Sequence, residues 1–414
     1  MFKFLHAADL HMDSPLKGLS QFNPDLADKV CRASRLALDN LIRVAREEKV
    51  AFVILAGDIL DGAVRDQGTI QFLLSKLGEL AQTIPVYLIR GNHDALNNLG
   101  ANLVWPQNVH QFGGEKATTQ KVDGLPVAIH GQSFASRENR ENIAASYPDP
   151  ETGHFNIGIL HTSLAGREGH DTYAPVTPEQ LKSKRYDYWA LGHIHKREMV
   201  REGDPWIVFP GNIQGRSIRE TGPRGCAIVT VDDSMRAKAE FVDLDVVRFQ
   251  EVEVDLTGME LMEDLTERVR EAANSSDWQG RMAVARVRLV GTTNLAGEVA
   301  ASQTLENEVR QTLSGLGISL EKLKNKSSEP GERPEGADEA EEMFGAVARE
   351  WQSDQESLRK ILDADEEFQA LGKKLGSVFN KKDEVEKKEL EDLLNPEDIL
   401  PALEKHLKAL SAKK

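Results

Sequence analysis

Five short apolar runs in the first 195 residues each end at histidine, aspartate or asparagine. Residues 2–8 (FKFLHAA) lead into Asp9-Leu10-His11, residues 51–56 (AFVILA) into Gly57-Asp58-Ile59-Leu60-Asp61, and residues 84–90 (IPVYLIR) into Gly91-Asn92-His93-Asp94. Residues 155–160 (FNIGIL) then reach His161, and residues 186–191 (YDYWAL) reach Gly192-His193-Ile194-His195. Such runs, rich in β-branched and aromatic residues, read as buried strands. Between the first three lie helical periodicities over 23–50 (Leu26, Val30, Ala33, Ala37, Leu41, Val44, Ala45) and 67–83. Strand–helix–strand with short joins implies right-handed crossovers in a parallel α/β sheet. Ligands in such sheets gather beyond the carboxyl ends of the strands, where these polar residues stand.

The residue types indicate a metal. In D-x-H two ligand-type side chains share one face of an extended segment. In G-H-x-H both histidines reach one site only if the backbone curls out of the strand, which Gly192 permits, and Gly91 lets the chain turn away from its strand. Carboxylate, amide and imidazole donors without cysteine suit Mn²⁺, Fe²⁺ or Zn²⁺ and disfavour Ca²⁺. There are more donors than one tetrahedral ion takes. A carboxylate such as Asp58 can bridge two ions ~3.5–4 Å apart, an arrangement suited to in-line attack on phosphate esters. His6, inside its strand, reads as a core histidine. After residues 206–209 (WIVF), a further strand, the loop 211–222 follows. There Gln214, Arg216 and Arg219, with Arg224 beyond, can bond phosphate oxygens or belong to a solvated surface loop. Residues 226–231 are expected to form a strand of a second sheet.

Composition narrows the class. At 414 residues two or three domains are expected. No apolar run is long enough for a membrane span, the start lacks the layout of a cleavable signal, and two cysteines give no disulfide framework, so a cytoplasmic address without a membrane partner is expected. The net charge of −16 argues against nucleic-acid binding until it is divided by region. Residues 1–250 hold 28 Lys+Arg against 31 Asp+Glu, and 251–414 hold 23 against 36. The acidity sits mainly in the C-terminal part and says little about the N-terminal surface.

The ordered set D-x-H, G-D-x-x-D, G-N-H-D, a lone histidine and G-H-x-H resembles the calcineurin-like metallophosphoesterase superfamily across residues 9–195. His161-Thr162-Ser163, residues 186–195 and residues 210–216 (PGNIQGR) are most similar to the SbcD-type DNA repair exonucleases. The continuation to Glu220-Thr221-Gly222 resembles their YhaO-like branch. The resemblance implies an α/β fold: a four-layer αββα metallophosphoesterase sandwich, with a small α+β capping domain and a C-terminal helical tail. It implies one metal on Asp9, His11, Asp58 and His195, and a second on Asp58, Asn92, His161 and His193. The ions would be Mn²⁺, with Fe²⁺, Zn²⁺ or Mg²⁺ as alternatives. His93 would assist the leaving oxygen without ligating, and Asp94 would orient its ring. Several relatives carry histidine where Asp61 stands, so that role is in doubt here, and Asp61 could instead bond a ligand histidine. Asp13 and Arg65 read as surface residues, and His170-Asp171 as shaping a loop. His110, His130, His154 and His406, without a partner motif, read as packing or surface.

Beyond residue 245 the texture changes. Strand-like 250–255, helix-like 259–273, strand-like 283–290 and helix-like 304–315 outline a capping domain over 246–324. Arg286 and Arg288 share a strand face there and either touch DNA or form a solvated edge. Residues 325–338 (NKSSEPGERPEGAD) read as a linker. From 339 to 414 a charged, leucine-striped helical tail needs a covering surface. The resemblance implies that this surface is the coiled-coil base of an SMC-like, SbcC-type ATPase, and that the nuclease domain (1–245) can dimerise. Any ATP dependence would come from that partner, because no P-loop motif is visible. Three readings follow: a Mn-dependent DNA exonuclease/endonuclease of repair or recombination, a phosphoesterase for a non-DNA ester, and a non-catalytic DNA- or ATPase-binding scaffold. The complete ligand set favours catalysis.

Overall fold

The computed structural model describes residues 1–14, 24–61, 66–96, 103–136, 141–164 and 173–330. Arg65, His170, Asp171, His406, the tail at 339–414 and most of the 325–338 linker lie outside the described residues. The first elements are β1 (Phe2–Ala7), α1 (Pro24–Glu47), β2 (Phe52–Ala56), α2 (Gln67–Ala81), β3 (Val86–Ile89), α3 (Asn92–Leu96) and β4 (Val109–Gln111). Then come β5 (Thr118–Lys121), β6 (Val127–Gly131), β7 (Phe155–His161), α4 (Pro178–Ser183), β8 (Tyr188–Gly192), β9 (Glu198–Arg201) and β10 (Trp206–Phe209). Next are β11 (Gly225–Val231), β12 (Ala237–Asp243), β13 (Val247–Asp255), α5 (Asp264–Ser275) and β14 (Met282–Val290). The described elements end with α6 (Ala296–Ala301), α7 (Leu305–Gly315) and β15 (Ile318–Asn325).

Two six-stranded sheets stack, in the orders β12-β11-β1-β2-β3-β4 and β5-β6-β7-β8-β10-β9. Strands β1 to β4 run parallel, as do β6, β7, β8 and β10. Alternation along each strand divides the core. Phe4, Phe52, Ile54, Tyr87 and Ile89 meet Phe155, Ile157, Ile159 and Tyr188 between the sheets. Their neighbours Leu5, Val53, Leu55, Val86 and Leu88 face outward onto Leu38, Leu41 and Ala45 of α1 and Leu73 and Leu77 of α2. On the far side, Leu160, Trp189 and Leu191 pack with Phe134, Tyr147 and Leu181. Gly158 makes room there, since a Cβ at that position would lie 2.4 Å from the Trp189 ring. The result is the expected four-layer sandwich.

Two details differ from the sequence reading. Cys226 lies on β11, which pairs antiparallel with β1 in the first sheet, not the second. Apolar content alone carries no information on which of two stacked sheets a strand joins. The block after residue 246 also gains a strand: β15 completes a parallel sheet β13-β14-β15, with α5 packed on β13 and α7 on β15. Lys322 and Lys324 mask that strand in the sequence.

Arg286 and Arg288 lie on the central strand, so they form no edge. A register shift in β15 accompanies the placing of Glu321 against Arg286, with two 2.7 Å hydrogen bonds, while Arg288 reaches Glu253 at 3.1 Å. Residues 1–291 and 298–326 form one compact unit. Within it the fully buried Arg248 donates to Asp243 and Asp245 at 2.7–2.9 Å, bracing the passage from β12 into β13. In the second unit, Thr292 bridges to Ser328.

His6 is fully buried between the sheets: its Nε2–H donates to Leu191 O at 3.2 Å and its Nδ1 accepts from the Tyr188 hydroxyl at 3.0 Å. Burial lowers its pKa from 6.5 to about 3, against the opposing Leu191 bond. The unfolded chain therefore takes up a proton first. Stability from this group is complete above pH 6.5 and falls as pH drops toward 3. Between pH 7.5 and 5 the loss should be about 2 kcal/mol. Urea unfolding of the wild type and of His6→Gln at both pH values should show a correspondingly smaller loss in the variant. Equal losses would contradict a buried neutral His6.

Candidate metal centre

The loops leaving β1, β2 and β3 of one sheet and β7 and β8 of the other bring their polar residues to one place. Pairing of β1 with β2 continues past the strands: the amides of Asp9, His11 and Met12 donate to Gly57, Asp58 and Ile59 carbonyls at 3.0–3.1 Å. Asp9, His11, Asp58 and His193 all have left-handed φ, at 52°, 42°, 51° and 100°. Non-glycine residues hold such conformations at a cost of about 1–3 kcal/mol each when their surroundings over-determine them.

The flanking glycines have a different role from the expected one. Gly91 and Gly192 are absent from the left-handed glycines; what they supply is room. A Cβ on Gly91 would lie 2.3 Å from Asp58 Oδ1 and 2.7 Å from His161 Cε1, and one on Gly192 would lie 2.0 Å from Ala56 O. The curl that brings His193 and His195 inward is made at His193 itself. Gly57 does both jobs, at φ +92° and with a Cβ that would meet His161 Nδ1 at 2.5 Å.

Three overlapping groups have potential ligand atoms within 4.8 Å of one another: Asp9, His11 and His195; His11, Asp58 and His93; and Asp9, Asp58 and His161. His161 Nδ1 donates to Ala56 O at 3.0 Å, which points Nε2 at Asn92 Oδ1, 2.9 Å away, and at Asp58 Oδ2, 3.4 Å away. His195 Nδ1 lies 2.8 Å from Glu220 Oε1, and its Nε2 faces His11 Nε2 at 3.1 Å. Lone pairs of two imidazoles, or of an imidazole and an amide oxygen, meet at these distances only with a proton or a cation between them. The donor set therefore fits divalent cations. The His193 ring lies 5.3 Å from that of His161, and its amide donates to Asp9 at 3.0 Å.

Electrostatics agree. Burial alone would raise Asp58, but the charge and hydrogen bond of His161, followed by the charges of His11 and His93, hold it far below the carboxylate range. Burial alone would lower His161, yet the charge and bond of Asp58, then Asp9, raise it to about 9. That proton stands where a cation would, so binding releases it. Burial and then the Arg216 charge keep His11 well below its usual value, in the neutral form that ligates.

Asp94 does not reach the His93 ring, contrary to expectation. Its carboxylate accepts the amides of Ile59, Leu60 and Gly91 at 2.7–3.1 Å, clamping the loop after β2 to that after β3. The ring faces Asp61 instead, with Nδ1 3.6 Å from Oδ1. Asp61 also accepts from Ser14 Oγ at 2.7 Å and lies 3.8 Å from His11 Nδ1 and 3.7 Å from Arg216. Burial would lower His93, but Asp61 and the Asp58 charge raise it, favouring the imidazolium.

Gln214, expected at a phosphate, is turned inward. Its amide donates to Gly215 O and Val247 O and accepts from the Val246 and Val247 amides, so it joins the sandwich to β13. Arg224 is buried against His195 O and Thr221 O. Arg216 stands at the centre, and Arg219 is exposed. Asp13, read as a surface residue, is bonded by Arg35, Thr69 and Ser34. His110 stacks on Tyr87, His130 is buried against Thr119 and Asn156, and His154 bonds Thr152 O. Glu220, the partner of His195, enters the sequence reading only as part of a motif. A carboxylate two residues before Gly222 carries no signal of its own.

A family model for calcineurin-like phosphoesterases matches residues 2–197, and one for the middle domain of the metallophosphoesterase YhaO matches residues 249–328. The uncharacterized metallophosphoesterase YhaO of Bacillus subtilis is 36% identical over 293 residues, covering 70% of this chain and 72% of its own length. The chain belongs to the calcineurin-like metallophosphoesterases. Among solved structures, TT1561 of Thermus thermophilus aligns with 59% of this chain and 99% of its own (TM-score 0.33, 13% identity). A dimetal phosphatase from Danio rerio aligns with 57% and 98% (TM-score 0.36, 12% identity). This metallophosphoesterase thus has a family expectation of phosphoester hydrolysis and a donor cluster that suits it.

The geometry separates two aspartates. Asp61→Asn should keep the metal content and the thermal midpoint while lowering turnover of a phosphodiester by roughly 10- to 100-fold, because it weakens the imidazolium at His93. Asp94→Asn should lower the thermal midpoint, because an amide has one acceptor oxygen and its NH2 would face backbone amides that now donate to the second carboxyl oxygen. Differential scanning calorimetry beside turnover decides it, and the reverse pattern would overturn the assignment.

Proposed function

We propose that the chain is a two-metal phosphodiesterase that cleaves DNA from ends and internally, in repair or recombination in the cytoplasm. The observation that carries this reading is the convergence of five strand-end loops on one buried set of carboxylate and imidazole donors. Asp9, His11, Asp58 and His195 would hold one ion, and Asp58, Asn92, His161 and His193 the other. The donor mix favours Mn²⁺, ahead of Fe²⁺, Zn²⁺ or Mg²⁺. Bound cations would supply Lewis acidity and a nucleophile usable at neutral pH. His93, whose pKa is raised by Asp61 and Asp58, would donate a proton to the departing ester oxygen. Arg216 offers its guanidinium to a non-bridging oxygen, and exposed Arg219 can follow the strand. Asp94 holds the loops that carry Asp58 and His93 in register. Among the described residues no helix is long and apolar enough to cross a membrane. The leucine-striped tail would dock on an SMC-like, SbcC-type ATPase, and a homodimer of nuclease domains fits the resemblance.

One observation favours a smaller substrate. Gln214, Arg224, Arg286 and Arg288 are all engaged within the protein, which leaves a shorter track for a DNA backbone. A small phosphodiester is therefore the second reading.

Purified full-length protein with Mn²⁺ should be given end-labelled duplex, hairpin and single-stranded DNA, beside a cyclic nucleotide and bis(p-nitrophenyl) phosphate. DNA shortening is expected. His93→Ala should retain metal and lose roughly 10²–10⁴-fold in cleavage. Turnover of only the small esters would select the second reading, and inert metal-loaded protein would leave a scaffold. Removing residues 339–414 should abolish co-purification with the ATPase and spare cleavage of open ends.

A further inference from the structure

Glu220 bonds a histidine of the centre, an arginine and an asparagine at once. Its Oε1 lies 2.8 Å from His195 Nδ1 and accepts from Arg216 at 3.0 and 3.3 Å. Its Oε2 accepts from Asn212 Nδ2 at 2.8 Å and from the Arg216 amide at 2.7 Å. The carboxylate is largely buried, with its side chain 13% exposed. The rest of His195 is also held, because Arg224 donates to its carbonyl oxygen. Gly211 approaches so closely that a Cβ would lie 2.8 Å from that same oxygen.

The contest at His195 Nδ1 is the telling feature. An Arg216 guanidinium nitrogen lies 3.0 Å from it, almost as near as the carboxylate. Guanidinium can only donate and carboxylate can only accept, so the two demand opposite tautomers. With Glu220 as the partner, Nδ1 carries the hydrogen and Nε2 presents a lone pair toward His11. With Arg216 as the partner, Nδ1 is the acceptor and Nε2 carries the hydrogen, which blocks ligation. We propose that Glu220 is a positioning residue that holds His195 in the ligating tautomer against Arg216, and so sets the affinity of the ion on Asp9, His11, Asp58 and His195. This rests on the assignment of His195 as a ligand. Glu220 is also the nearer of the two carboxylates that face Arg216, at 3.0 Å against 3.7 Å for Asp61.

The test is a metal titration of the full chain with Mn²⁺, read by calorimetry and by the metal retained after gel filtration. Wild type is expected to bind two ions. Glu220→Gln should weaken one of them by roughly 10- to 100-fold and leave the other unchanged. Arg216→Met in the Glu220→Gln background should restore most of that loss, because the competing donor is gone. A purely structural role predicts no such rescue. Nitrogen-15 shifts of the His195 ring in metal-free protein should report Nδ1–H in wild type and Nε2–H in Glu220→Gln. If that variant unfolds without metal, Glu220→Asp replaces it, with a smaller loss and the same rescue expected. Undiminished binding of both ions by the variant, or a double variant no better than the single, overturns the inference. Wild type that binds no ion, or binds without using His195 as judged by His195→Ala, instead overturns the assignment of the centre.

Discussion

A single buried carboxylate, that of Asp58, sets the requirements for the elements around it. Its Oδ1 accepts the His93 amide at 2.9 Å, and its Oδ2 lies 3.4 Å from His161 and 3.7 Å from His11. A charge at this depth is tolerated only when it is paired on every side. Pairing on every side requires the backbone after β3 and the His161 side chain of β7 to approach the same carboxylate. That explains Gly91 and Gly57, where any side chain would occupy the space of Asp58 or His161. It also explains the left-handed φ at Asp58 itself, which turns the carboxylate back under β3. The parallel strands supply the loops, and this carboxylate dictates how close they come.

Much of this is legible in the sequence. Apolar runs ending in donors locate the strands, and the spacing locates the centre, because both signals depend on local sequence. What escapes depends on contacts between distant segments. Glu220 lies 25 residues from His195 in a loop whose charges look incidental, and only the fold brings them within 2.8 Å. Asp94 and Asp61 are both carboxylates close to His93 in sequence or space. Which of them meets its ring is decided by backbone amides, three of which claim Asp94 first. Gln214 has the setting of a phosphate contact, but three of its four hydrogen bonds are directed to Val246 and Val247 at the start of β13, and the fourth to Gly215 O. The tautomers of His161 and His195 likewise follow from a carbonyl and a carboxylate across the sandwich.

The region after β12 shows the same limit from another side. Its buried face is legible through Val252, Val254, Val287 and Leu289, which alternate as a strand must. Its other face is a ladder of opposite charges, Glu251 and Glu253 beside Arg286 and Arg288, with Glu321 beyond. Cross-strand pairing of this kind stabilises a sheet modestly and lowers the positive potential that a polyanion would feel. Arginines on a strand face therefore do not by themselves indicate DNA. Arg216 differs from them in that its carboxylate partners, Asp61 and Glu220, also adjoin the candidate metal centre.

That arrangement has a consequence for stability. With no cation bound, Asp58 is balanced chiefly by the His161 proton, while burial raises Asp9 itself. The outer carboxylates Asp61 and Glu220 face Arg216, His93 and His195 instead. A cation at this place would displace the His161 proton, so its hold would weaken as pH falls. The strained backbone at Asp9, His11, Asp58 and His193 is held by the sandwich itself, through the amides of Asp9 and His11 on Gly57 and Asp58 and that of His193 on Asp9.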